Sequence, residues 1–364
     1  MLTPSSEAVY ERLAQRLAQT PSGFPRTSSA VELKLLARMF TPEQAALACA
    51  MHLKLESIED IAARAKLDVQ STRSLLKAML KRGLVRVGRR EGSAAFALLP
   101  FIVGSYEEAL PYLDREMAEL FEAMVQESRG AGMLSHTPSI QRVLPVEESI
   151  HAEIEVQPYE KVSALLSGAR SFGVRECICR KQKALIGQGC EHERMNCINF
   201  APVEGAFANL PHVQPITRED AMRILKQSEE EGLVHCVYNQ QQDIYYICNC
   251  CVCCCGIMRG LVEFGQHHAL ARSDFLCIVD PEACTGCEAC VERCHFGALS
   301  VPEDVCSVDA ERCMGCGLCV SACPSEAMRL ERRPDLEHAV PPQALGEWMA
   351  QRAEARGVSL DRLL

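Results

Sequence analysis

Residues 277–301 read CIVDPEACTGCEACVERCHFGALSV, and residues 306–330 read CSVDAERCMGCGLCVSACPSEAMRL. The two segments align without gaps at an offset of 29, with 11 of 25 positions identical. Self-similarity of this kind marks a duplicated structural unit. Each copy carries C-x2-C-x2-C-x3-C. The first supplies Cys284, Cys287, Cys290 and Cys294, the second Cys313, Cys316, Cys319 and Cys323. A cubane needs four thiolates around a small anionic core. Three come from one tight loop, whose x2 gaps let the backbone wrap the core and aim N–H groups at its sulfurs, and the fourth comes from elsewhere. A structural zinc site would use paired C-x2-C knuckles instead.

The paired runs resemble the bacterial two-cluster [4Fe-4S] ferredoxin domain, over residues 275–330. That resemblance implies that the last cysteine of each run serves the other cluster. Cluster I would then take Cys284, Cys287, Cys290 and Cys323. Cluster II would take Cys313, Cys316, Cys319 and Cys294. It also implies a pseudo-twofold fold with a small core of Ile278, Val279, Ala298, Val308 and Ala327. Pro324 follows the fourth cysteine as in that family, whereas His295 stands at the equivalent place in the first copy, where it would alter the surroundings of Cys294. Gly286 and Gly315 suit a tight loop. Cys277 and Cys306, at the repeat starts, are expected to pack as small apolar residues. This segment holds 9 acidic and 3 basic residues, which suits a basic redox-protein partner.

The chain has 22 cysteines in 364 residues, one before residue 177 and 21 between 177 and 323. No basic-then-apolar leader opens it and no apolar run is long enough to span a bilayer. A cytoplasmic location with reduced thiols is therefore expected, and metal rather than disulfides. Ten further candidate ligands lie between the front of the chain and the repeat: Cys177, Cys179, Cys190, Cys197, Cys248, Cys250, Cys251, Cys253, Cys254 and Cys255. Adjacent residues of an extended chain point to opposite sides. The run from Cys250 to Cys255 can therefore feed two centres, which predicts one or two further iron–sulfur clusters, with a structural zinc or mixed thiolate site as the alternative. Arg175 and Arg180 would offset the charge of such a centre. Cys236 is read as a bystander, and His235 as a possible neighbour of a cluster. As a whole, 170–330 resembles ferredoxin-type iron–sulfur proteins of anaerobic bacteria.

The front of the chain is different in kind. Residues 1–100 hold 15 basic and 9 acidic residues. Helical periodicity over 30–40, 42–53, 58–67 and 72–82 precedes strands at 84–87 and 94–99 joined by a turn at 89–92. Leu75, Leu76, Met79 and Leu80 are expected on one face of the helix over 72–82. Helices followed by a two-stranded ribbon resemble the winged helix-turn-helix family in pattern. Arg73, Lys77, Lys81, Arg82, Arg86, Arg89 and Arg90 would then form a stripe able to neutralise nucleic-acid phosphates; such modules equally serve as protein-docking units.

The expected fold class is α+β. A winged-helix-like module occupies 1–104, and a helical connector fills 105–170, with an acidic helix over 105–128, strand content at 153–156 and a helix from 158 to about 169. A Cys-rich segment spans 171–270, with a helix over 221–232, a strand at 243–247 and the cysteines 248–255 in a loop. A two-cluster ferredoxin domain follows at 271–331, then a helical tail at 332–364. No G-x4-G-K-S/T or G-x-G-x-x-G motif occurs, so neither a nucleotide-driven step nor a dinucleotide site is indicated. Catalytic residues are not identifiable. The functional expectation is an electron-transfer protein, or the electron-transfer subunit of an anaerobic oxidoreductase. A redox-sensing winged-helix regulator and a reductase with its substrate at the middle cluster are the alternatives.

Overall fold

The computed structural model describes residues 4–210, 212–333, 340–361 and 363, arranged as two compact units. The first unit comprises 1–137, 182–189 and 349–364; the second comprises 138–181 and 190–348.

In the first unit, α1 (Pro4–Ala18), α2 (Val31–Met39), α3 (Pro42–Cys49), α4 (Ile58–Ala65) and α5 (Val69–Lys81) precede an antiparallel hairpin of β1 (Val85–Arg90) and β2 (Ser93–Leu98). Thr41, Ser57 and Asp68 each accept a backbone N–H at the start of the helix that follows, satisfying donors that no intrahelical carbonyl can reach. Glu56 forms a β-bridge with Phe96 beside the hairpin. The hairpin is tighter than expected. Arg89 and Arg90 lie inside β1, and the reversal falls on Glu91 and Gly92, both at positive φ (53° and 80°), as a two-residue loop matched to strand twist requires. On α5, Thr72, Leu76 and Met79 are buried, while Leu80 is exposed; the inward face is rotated by about one residue from the expected one, since Thr72 occupies it. The acidic stretch 105–128 is not one helix. A short α6 (Tyr106–Glu108) and an irregular turn precede α7 (Arg115–Ser128), which Asp114 caps. Pro111 cannot donate a helical hydrogen bond. Arg352 is fully buried in this unit. Its Nε donates to the Pro21 carbonyl (2.9 Å), and its terminal nitrogens donate to the carbonyls of Met133 and His136.

The second unit is built on a seven-stranded sheet. Its strands are β3 (Gln141–Val143), β4 (Ser171–Glu176), β5 (Met195–Ala201), β6 (Gln214–Ile216), β7 (Val234–Tyr238), β8 (Tyr246–Cys250) and β9 (Leu270–Ala271), in the order β6-β4-β5-β8-β7-β3-β9. All pairs are antiparallel except β3 with β9. The helices of this part of the chain are α8 (Val162–Ser167), α9 (Ile178–Leu185), which crosses a unit boundary in sequence, α10 (Arg218–Glu230) and α11 (Gly256–Val262). Leu144, Leu166, Phe172, Ile198, Leu225 and Ile247 form one of its apolar cores. The expected strand at 153–156 is absent: the segment runs as a turn and irregular chain, and Ile154 and Val156 pack against the apolar core of the repeat instead of pairing. The second strand of the 230–250 region lies at Tyr246–Cys250 rather than 243–247, as Asp243 takes a left-handed turn conformation (φ 55°). Cys248 and Cys250 are therefore strand residues, not loop residues.

The repeat forms β10 (Phe275–Val279), α12 (Ala289–Arg293), β11 (Leu299–Ser300), β12 (Ser307–Val308), α13 (Leu318–Ser321) and β13 (Met328–Arg332). β10 pairs with β13, setting Cys277 opposite Leu330, and β11 pairs with β12. Gly315 shows how closely the chain is folded here. Its φ is +65°, and a Cβ would meet the Phe275 carbonyl and Ser273 Oγ at 2.2 Å. Gly315→Ala is expected to destabilise this unit by more than about 2 kcal/mol, read as an earlier guanidinium midpoint in anaerobic unfolding. An unchanged midpoint would contradict the close approach. The tail carries α14 (Leu345–Ala355); the expected helical character of 334–339 falls outside the described residues.

Candidate metal centres

The two cysteine runs make two pockets. One is lined by Cys284, Cys287, Cys290 and Cys323, together with Cys306. The other is lined by Cys313, Cys316, Cys319 and Cys294, together with Cys277. Each pocket thus combines three cysteines of one run with the last of the other. The wiring around them repeats with the 29-residue offset. The Cys306 N–H donates to Cys284 Sγ (3.4 Å), and the Cys277 N–H to Cys313 Sγ. The Ala298 N–H donates to Cys294 Sγ (3.4 Å), and the Ala327 N–H to Cys323 Sγ. Such donors suit thiolates, which gain from hydrogen bonds to their charged form. Burial opposes ionisation of Cys323, yet the Ser325 hydroxyl and the N–H groups of Ala327, Ser325 and Glu326 hold its thiol below the ordinary range.

Cys277 and Cys306 are buried as expected but are more than filler. Cys277 Sγ lies 3.5 Å from Cys319 Sγ, and Cys306 Sγ lies 3.6 Å from Cys290 Sγ. Burial and the Cys290 contact push the Cys306 thiol up to about 12, so it stays protonated. His295 turns away from the pockets. Its Nε2 pairs with the Gly232 carbonyl at 2.6 Å, and neighbouring Arg293 donates to the carbonyls of Glu229 and Glu230 at the end of α10. A cation at a helix C-terminus faces the negative end of the dipole, so these residues fasten the repeat to α10.

The middle cysteines divide into two sets. Cys190, Cys251, Cys253 and Cys254 bring their sulfurs within 4.8 Å of one another, including Cys190–Cys251 at 4.0 Å and Cys254–Cys190 at 3.6 Å. Cys251 follows β8 directly and precedes a turn that brings Cys253 and Cys254 to the same side, and Leu233 packs against Cys251 and Cys254. Contacts with Cys253 and Cys254, and Arg180 nearby, drive Cys251 far below the ordinary thiol range; Cys253 is pushed up to about 12, chiefly by Cys251.

The second set forms a ring of thiols that influence one another's ionisation. Cys177 interacts with Cys179 and Cys197, Cys197 with Cys248, Cys248 with Cys250, Cys250 with Cys255, and Cys255 with Cys179. The sheet explains it. Side chains two residues apart on a strand share a face, so Cys248 and Cys250 point together, and Cys197 stands on the neighbouring β5, beside the Ile198–Ile247 pair. Cys177 and Cys179 enter from the corner between β4 and α9, and Cys255 from the start of α11. Within the ring Cys177 is held well below the ordinary range by Cys179 and Cys197, while Cys179, Cys197, Cys248 and Cys255 are pushed up.

Cys236 stands apart in the sequence but not in the fold. It pairs with Cys248 across β7 and β8, is fully buried, and interacts with Cys250. Its place on a strand two residues after Val234 was the available signal, since it shares a face with whatever lies opposite. Arg180 lies between the two sets. It is 1% exposed; Nη1 donates to the Asn249 carbonyl (3.0 Å) and to Cys251 Sγ (3.6 Å), and Nη2 to Asn196 Oδ1. Burial would lower its pKa, but Cys177, Cys251 and Cys197 raise it further. Arg175, paired with Cys197 in the β4–β5 ladder, is half-buried. His235 is buried and meets Asn249 Oδ1 at 2.6 Å, so it contacts the strand between Cys248 and Cys250 rather than a sulfur.

The basic residues of the front unit are placed as follows. Arg73, Lys77 and Lys81 lie exposed on α5, and Arg86, Arg89 and Arg90 exposed on β1. Arg82 is engaged, donating to the Arg38 carbonyl (2.8 Å) and covering the Tyr112 ring. Arg86 donates to the Leu53 carbonyl (3.0 Å).

Residues 307–329 match the 4Fe-4S binding domain family. The match falls on the second copy of the repeat. The chain therefore carries an iron–sulfur binding domain. No curated protein and no solved structure matches the chain. Among the described residues no helix is long and apolar enough to cross a membrane.

Proposed function

We propose that the protein transfers electrons, alone or as the electron-transfer subunit of an oxidoreductase. It would hold two [4Fe-4S] clusters in the repeat and further iron–sulfur centres on the ten middle cysteines. The observation that carries this reading is the pair of pockets, each lined by three cysteines of one run and the last cysteine of the other. Cys284, Cys287, Cys290 and Cys323 would hold cluster I, and Cys313, Cys316, Cys319 and Cys294 would hold cluster II. The donor set fits such a group: four thiols per pocket, backbone N–H groups aimed at sulfur, and apolar walls. When bound, the clusters supply one-electron uptake and release. The chain supplies burial, N–H donors and a buried cation. Cys287 is exposed, flanked by the exposed acids Glu282 and Glu288 with Asp304 nearby. This surface suits a basic redox partner.

Anaerobically purified protein is expected to carry at least about eight irons per chain, with matching sulfide. Fewer than that would sink the reading.

The exposed basic residues of α5 and β1 favour a second reading, in which the front unit resembles a winged helix that binds DNA and cluster state controls it. Duplex binding at low salt that weakens steeply as salt rises is the expected result, because phosphate contacts release counterions. Absence of binding at low salt by both iron-loaded and iron-free protein would remove it.

A further inference from the structure

The sulfurs of Cys190, Cys251, Cys253 and Cys254 all lie within 4.8 Å of one another, with Cys190–Cys251 at 4.0 Å and Cys190–Cys254 at 3.6 Å. An ion of the size of zinc or iron holds thiolate sulfur at about 2.3 Å, and at tetrahedral angles two such sulfurs stand about 3.8 Å apart. The two observed separations bracket that value. A sulfide-bridged cluster places each thiolate on a different iron, so its ligand sulfurs stand further apart. The repeat shows this contrast: among the described residues, no three cysteines of either repeat pocket meet the 4.8 Å limit. The Cys190 set is therefore sized for a single ion and not for a sulfide core.

Local backbone brings the four together. Cys253 and Cys254 are adjacent, and in an extended chain they would point to opposite sides. The turn over 252–254, in which the N–H groups of Cys254 and Cys255 donate to the Cys251 carbonyl (3.4 and 3.0 Å), gathers both beside Cys251. Cys190 arrives from the loop between α9 and β5. Cys251 and Cys254 are buried, Cys190 is half-buried and Cys253 is exposed. The buried guanidinium of Arg180 donates to Cys251 Sγ (3.6 Å). Four thiolates around a ferric ion leave one net negative charge, which one guanidinium balances; around zinc they leave two.

We propose that Cys190, Cys251, Cys253 and Cys254 hold one iron ion in a tetrahedral, sulfide-free site, separate from the clusters of the repeat and from the other six middle cysteines. Four thiols lose their protons and form four iron–sulfur bonds. That the site takes one ion rests on the sulfur geometry. That the ion is iron rests on the charge balance at Arg180 and on the electron-transfer reading above, because zinc has no redox chemistry. The site adds a one-electron centre whose Cys253 ligand faces solvent, within reach of a redox partner.

The test uses full-length protein purified without oxygen from cells grown with iron in excess over zinc, enriched in the Mössbauer-active iron isotope. Iron, zinc and sulfide are counted in the wild type, in Cys190→Ala and in Cys253→Ser. A cubane holds equal iron and sulfide, so the wild type is expected to carry about one iron more than sulfide per chain, seen as a magnetically uncoupled high-spin ion. Cys190→Ala should lose about that one iron, no sulfide, and this spectral component alone. Loss of about four irons together with sulfide would show a cubane on these cysteines and overturn the proposal. So would about one zinc per chain that disappears in Cys190→Ala, or a variant with unchanged metal content. Should Cys190→Ala fail to fold, Cys253→Ser decides, since Cys253 is exposed: a hydroxyl in place of one of four thiolates should shift the single-iron spectrum, and an unchanged spectrum overturns the proposal. Wild-type protein with about eight irons, matching sulfide and no uncoupled ion would overturn this inference and leave the ferredoxin-type reading intact. Fewer than about eight irons with the uncoupled ion among them would defeat that reading and keep this site.

Discussion

Cys323→Ala is expected to strip the cluster of the other run, not of its own. Cys323 follows Cys313, Cys316 and Cys319 in sequence, yet it lines the pocket of Cys284, Cys287 and Cys290. The variant should lose about four irons. Under anaerobic alkylation, Cys284, Cys287 and Cys290 should then become modified while Cys313, Cys316 and Cys319 stay protected. The reciprocal change, Cys294→Ala, should reverse the pattern, because Cys294 lines the pocket of the second run. Mass-spectrometric mapping reads this directly. Modification confined to the run that carries the substitution would show that each run closes its own cluster. The effect should be large because four thiolates hold a cubane and the N–H donors around each sulfur cannot replace one of them.

Arg180→Met is expected to lower the midpoint potentials of both middle centres. Reduction adds negative charge to a centre, and a buried cation stabilises the more negative state. Arg180 is fully buried, donates to Cys251 Sγ at 3.6 Å and is coupled to Cys177 and Cys197. An opposite charge at such range shifts a proton equilibrium by about one to three decades. The same free energy in a one-electron couple is about 60 to 180 mV. Potentiometric titration followed by EPR should show this downward shift, with Arg180→Lys intermediate. The clusters of the repeat should hold their potentials. A variant with full iron content and unmoved midpoints would mean that the guanidinium serves only to bridge Asn249, Asn196 and the turn at Cys251.

What could be read from the sequence follows from how local each signal was. The repeat was legible because its cysteines are fixed by spacing within 25 residues, and the placing of each run's last cysteine in the other run's pocket came with the family resemblance. The two-sided use of the 250–255 run was legible in outline, because strand alternation is a property of the backbone. The partition into four and six was not, since Cys197 reaches its neighbours through pairing of β5 with β4 and β8 and Cys190 meets Cys251 and Cys254 from a loop 61 and 64 residues away in sequence. The surroundings of Cys236 were hidden for the same reason: nothing near it in sequence announces Cys248 as its cross-strand neighbour. On α5 the buried face runs through Thr72, Leu76 and Met79 and leaves Leu80 outside, an orientation set by tertiary packing that apolar spacing alone does not specify. The strand expected at 153–156 had the right alternation but no partner strand, and alternation without a partner leaves backbone groups unpaired.

Arg352 gives the first unit an unusual relation to time. Its guanidinium holds the carbonyls of Pro21, Met133 and His136, and the unit containing it is assembled from three separated stretches of chain. During synthesis, domains generally form in the order in which they leave the ribosome. Here residues 138–348, with 21 of the 22 cysteines, emerge before the arginine that completes the unit begun at the N-terminus. Iron delivery can therefore begin on a nascent chain whose opening segment is still waiting for its last anchor.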